Sequence, residues 1–76
     1  MINTTGLSSL ISEVIGVSDE SLSNESGMGN PADWDSFAQI SIMVAAEEKW
    51  NIKFSPIEIG ENTNFIDILN LINSKL

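Results

Sequence analysis

Few residue types in this chain can do chemistry. Its 76 residues include no histidine and no cysteine, so neither a Ser-His-Asp or Cys-His arrangement nor a zinc site on His or Cys ligands can form. Hydroxyls, eleven carboxylates and three lysines remain. The most suggestive grouping is Asp33-Trp34-Asp35-Ser36-Phe37. Asp-Ser at a helix start is first of all a cap, because both side chains accept hydrogen bonds from orphan backbone N–H groups. A serine in that first turn also presents its hydroxyl outward, where a phosphodiester would be favoured by the helix dipole by roughly 0.3–1 kcal/mol. No histidine or other obvious base accompanies Ser36. Asp33 and Asp35 lack the glycine and terminal glutamate of a calcium loop. Gly27 and Gly29 are not followed by Gly-Lys-Ser/Thr, so they read as turn glycines rather than a phosphate loop.

Size and charge narrow the function classes. Residues 1–76 make one domain, and a domain this small buries only about 60–65 % of the surface its unfolded chain exposes. That leaves no room for a deep cleft, so an enzyme is not expected and no residue is assigned a catalytic role. The net charge of −8 disfavours nucleic acid and anionic membrane and suits a basic protein partner or simple solubility. No segment approaches the ~20 apolar residues of a membrane span. The stretch Met1–Thr5 lacks the charged and apolar regions of a signal peptide, so a cytoplasmic monomer is expected.

The elements that must position Ser36 are helical. Leu7, Leu10, Ile11, Val14 and Ile15 fall on one arc of a first helix, which Gly16 is placed to end. Residues 16–35 form a long connection, with Val17, Leu22, Met28 and Trp34 as the apolar residues that would pin it to the bundle. A second helix should start near Asp35-Ser36 and run to about Trp50, with Asn51 at its exit. Ser55 caps a short third helix with Pro56 at its first position, and Ile57, Glu58 and Ile59 form one turn before Gly60. Thr63 or Asn64 caps the last helix, whose inner stripe is Phe65, Ile68, Leu69, Ile72 and Leu76, flanked by Ile66 and Leu71. The fold class is therefore all-α: a small four-helix bundle with three long helices, one short third helix and a long first loop.

The second helix carries more apolar surface than so small a core can use. At about 100° per residue, Ile42, Met43, Ala46 and Trp50 share the core sector, while Phe37, Ile40 and Val44 occupy another, with Glu47 and Glu48 beside it. One sector is then expected to meet a partner, with Phe37, Ile40 and Val44 as anchors and Asp35, Glu47 and Glu48 as surrounding charges.

Asp33-Trp34-Asp35-Ser36-Phe37 followed by Ile40-Ser41-Ile42-Met43-Val44-Ala45-Ala46-Glu47-Glu48 resembles the phosphopantetheine attachment region of acyl carrier proteins. The family pattern is Asp-Ser-Leu and an apolar helix ending in acidic residues; here Phe37 replaces the Leu, and Trp50 sits where an aromatic residue is common. Overall length, acidity, the long first loop and the short third helix extend the likeness along the chain. The resemblance implies that a phosphopantetheinyl transferase moves 4′-phosphopantetheine from coenzyme A onto Ser36, with Mg²⁺ held partly by Asp35. Acyl-loading and acyl-using enzymes would then be the partners, and the chain would catalyse nothing. Many fatty-acid carriers have acidic residues where Ala38 and Ser41 stand here, and Lys49 interrupts the acidic run. These departures imply a dedicated partner in polyketide, nonribosomal-peptide, lipid or polysaccharide-modifying biosynthesis. The alternative is a non-catalytic interaction module in which Asp35-Ser36 is only a cap.

Overall fold

Four short polar side chains start the four helices, each accepting a backbone N–H that the helix itself cannot pair. In the computed structural model, which describes residues 1–76, these helices are α1 (Thr4–Ile15), α2 (Ser36–Trp50), α3 (Pro56–Glu61) and α4 (Phe65–Lys75), with a 3₁₀ turn at Asp19–Ser21. The caps are Asn3, which accepts from Gly6, Asp35 from Ala38, Ser55 from Glu58 and Asn64 from Asp67. Of the two candidates for the last cap, Asn64 is the one used. Gly16 and Asn51 close α1 and α2 in the left-handed conformation, at φ 76° and 54°. The expected all-α bundle, with its short third helix and long first loop, is the fold observed.

One boundary differs. The third helix passes through Gly60 to Glu61 rather than stopping after Ile59. A reciprocal box explains its firm start: Ser55 Oγ accepts from the Glu58 N–H, and the Glu58 carboxylate accepts from the Ser55 N–H at 2.8 Å. The helix then closes on Asn62, whose N–H donates to the Glu58 carbonyl, so Gly60 never takes up the conformation that would end it.

The core is built from Leu7, Leu10 and Ile11 of α1, Ala38, Ile42, Met43 and Ala46 of α2, and Phe65, Ile68 and Ile72 of α4. Leu22 and Trp34 from the long connection and Ile52 and Phe54 after α2 complete it. Short α3 adds no fully buried side chain. Two expected inner residues lie outside: Leu76, because it follows the last helical residue and has nothing to pack beneath it, and Met28, which stands at the surface of a tight turn. Trp50 is half-buried at the helix end, with the Lys49 ammonium 5.9 Å from its ring.

The connection between α1 and α2 is unusually long for so small a domain, but it is tied down. Its segment Ser26–Met28 runs antiparallel against Thr63–Phe65: the Met28 N–H donates to the Thr63 carbonyl at 2.8 Å and the Phe65 N–H to the Ser26 carbonyl at 2.9 Å. Gly27 is more than a turn glycine. A Cβ there would lie 2.9 Å from Asn64 Cβ and 3.0 Å from the Thr63 carbonyl oxygen, so the two backbones meet only because the side chain is missing. The Asn73 carboxamide clasps the chain's beginning in the same way, accepting from the Ile2 N–H and donating to the Ile2 carbonyl.

Two predictions follow from these contacts. Gly27→Ala should lower stability by about 1–3 kcal/mol through overpacking, whereas Gly60→Ala, helical and with open space around it, should raise it by about 0.5–1 kcal/mol; urea unfolding of both would check the opposite signs. The second concerns Glu58, whose carboxyl is held below its ordinary value by the Ser55 N–H and then by the Lys75 ammonium at 3.1 Å. A depressed acid stabilises the fold above its unfolded pKa and loses that contribution as pH falls through its folded value. The gap in melting midpoint between wild type and Glu58→Gln should therefore be open at neutral pH and close below the ordinary glutamate range.

Candidate functional site

Ser36 is the first residue of α2, and its position follows from the two residues before it. Trp34 is fully buried, which fixes the path of the connection into the helix. Asp35, in extended conformation, turns its carboxylate back onto the Ala38 N–H at 2.8 Å. Its side chain is thus committed to starting the helix while remaining exposed. Ser36 is left exposed at the positive end of α2, beside N–H groups with no intrahelical acceptor. The arrangement favours negative charge beside that hydroxyl.

Ser36 also stands at the lip of a groove of about 430 Å³ between α2 and α3. Gln39 and Ile40 line it from α2, and Pro56, Ile59 and Gly60 from α3; Met28 of the long connection closes the near end. The walls are almost entirely apolar. A flexible substituent on Ser36 therefore has an adjoining surface to lie against.

The residues expected to meet a partner separate into two groups. Phe37, Ile40 and Val44 are 77 %, 53 % and 43 % exposed, and their spacing of three and four residues puts them on one face running away from Ser36. Ile57 of α3 is also exposed, at 69 %. Glu47 and Glu48 lie about 16–18 Å from Ser36 along the helix axis, at 1.5 Å per residue. Glu48 is exposed. Glu47 is half-buried, and its carboxylate accepts from the Phe54 N–H at 2.8 Å, stapling the chain after α2 to the helix. Carboxylates nowhere gather in threes close enough to share a metal ion.

Gln39 is the site residue that sequence reasoning missed. It is 2 % exposed, and its carboxamide accepts from the Trp34 indole N–H at 2.9 Å while donating to the carbonyls of Ile59 and Asn62 at 3.0 and 2.7 Å. The signal was available: on a helical wheel Gln39 falls in the middle of the sector of Ile42, Met43 and Ala46, where a polar residue needs buried partners.

No family model matches the chain. It is 33 % identical over 55 residues to a protein named acyl carrier protein from Acidothermus cellulolyticus, a stretch covering 72 % of this chain and 66 % of that relative. The chain thus spans slightly under two thirds of the relative's length. Together with the four-helix fold, this match makes the chain similar to acyl carrier proteins.

Proposed function

We propose that this chain holds acyl or related intermediates as thioesters on a 4′-phosphopantetheine arm attached to Ser36, and presents them to partner enzymes without catalysing a reaction itself. The observation that supports this most directly is the placement of Ser36: an exposed hydroxyl at the N-terminus of α2, on the lip of an apolar-walled groove. The residues present fit such a group. The first turn of α2 suits the phosphodiester, Asp35 holds that turn in shape, and the groove walls suit the rest of the arm. When bound, the arm would supply the thiol that a cysteine-free chain lacks.

Docking would use the face beginning beside the arm. Phe37, Ile40 and Val44 offer apolar anchors, with Glu48 and Lys49 of opposite sign at the far end. Ala38 and Ser41 are uncharged side chains, so neither brings charge to an approaching enzyme. An apolar face of this kind supports a dedicated partner in a specialised pathway rather than a general, charge-steered one.

The test of the carrier role is the intact mass after incubation with coenzyme A, Mg²⁺ and a broad-specificity phosphopantetheinyl transferase. One added phosphopantetheine is expected on the wild type and none on Ser36→Ala. No gain on folded wild type, while a known carrier is modified in the same tube, would favour an interaction module working through Phe37, Ile40 and Val44. For the partner, the loaded chain should be a poor substrate for fatty-acid synthase enzymes; turnover equal to that of a fatty-acid carrier would count against a dedicated pathway.

A further inference from the structure

Gln39 lines the groove beside Ser36 and is almost wholly buried. Its carboxamide donates both N–H groups, to the Ile59 and Asn62 carbonyls, and its oxygen accepts from the buried Trp34 indole. These bonds fasten it on three sides: to the segment entering α2, to the body of α3 and to the exit of α3. No buried side-chain polar atom in the protein lacks a partner. An apolar chain resting in the groove would leave all three bonds intact. To pass deeper it would have to part α2 from α3, displace the carboxamide and leave the buried indole N–H and two part-buried carbonyls without their partner. Leaving such groups unpaired costs more than a made hydrogen bond contributes. Without this fastening α3 would be the easiest element to move, since none of its side chains is fully buried.

Building on the carrier reading above, we infer that Gln39 is a positioning residue that keeps the cargo out of the bundle. An acyl chain carried on Ser36 then lies along the open groove between Ile40 and Ile59, within reach of a partner, and does not enter the core. Cargo specificity would follow from that: the interior sets no limit on chain length, and the partner selects the cargo.

The experiment loads the chain with plain, butyryl and octanoyl arms, using the matching coenzyme A thioesters and a promiscuous transferase, and measures melting midpoints and the rate of thioester cleavage by hydroxylamine. In the wild type cleavage should be independent of chain length, and the midpoint should rise only slightly, through contact with the open groove. In Gln39→Ala the midpoint should climb towards octanoyl by about a further 4–8 °C, the response of a small domain to a modest gain in burial, and cleavage should slow. Wild-type cleavage that slows with chain length overturns the inference, and so does a Gln39→Ala series that matches the wild type. If the alanine variant does not fold, Gln39→Met, which keeps the volume without the donors, takes its place. Failure of the carrier reading shows itself separately and earlier, as no mass gained on Ser36.

Discussion

Trp34 lies wholly inside the protein two residues before Ser36, and its indole N–H is met by Gln39 one turn into the following helix. Much of the structure around the site depends on that contact. Truncating a buried tryptophan typically costs about 3–5 kcal/mol, against a whole stability of about 4–11 kcal/mol at 0.05–0.15 kcal/mol per residue. The indole therefore anchors the long connection with a large share of what the fold has. It also sets where α2 begins, because Asp35 and Ser36 have only one residue of freedom between the buried ring and the first helical turn. Through Gln39 the same contact reaches α3, which has little else to hold it.

This arrangement lets a small core support a helix with two working faces. Residues Ile42, Met43 and Ala46 are fully buried, yet Phe37, Ile40 and Val44 on the other side remain in water. Leaving those side chains exposed forgoes stabilisation of roughly 1.5–3 kcal/mol for each large residue, which a chain of this size can bear only if its other contacts are well made. The backbone contact at Gly27, the clasp at Asn73 and the capped start of every helix are such contacts. The uncovered face and the groove meet at Ser36, so a substituent there and a protein approaching α2 would share one surface.

Local features were legible in the sequence because their causes are local. Gly16 and Asn51 end helices since both tolerate the left-handed conformation, and Ser55-Pro56 opens one since both suit its first turn. The two apolar sectors of α2 follow from helical spacing alone. Residues whose role depends on a distant partner were read less well. Gly27 looked like a turn glycine until the backbone at Thr63–Asn64 came against it. Glu47 looked like surface charge, but its carboxylate accepts from Phe54 seven residues on. Met28 and Leu76 looked like core and lie outside it, since hydrophobicity does not say whether a neighbour will be present to cover a side chain.

By itself the sequence determined the all-α class, the ends of α1 and α2, the cap of α3, the placement of Ser36 in a first turn and the likeness to acyl carrier proteins. Each rests on interactions within a few residues of the chain, or on a motif contiguous in it. Tertiary structure alone decided that Ser36 opens onto a groove, that Gln39 ties α2 to α3 beside it, and that the long connection is bound to the start of α4. Those outcomes join residues some twenty to forty positions apart, such as Gln39 with Asn62 and Gly27 with Asn64. Helical periodicity specifies which face a residue occupies, and only packing specifies what that face meets.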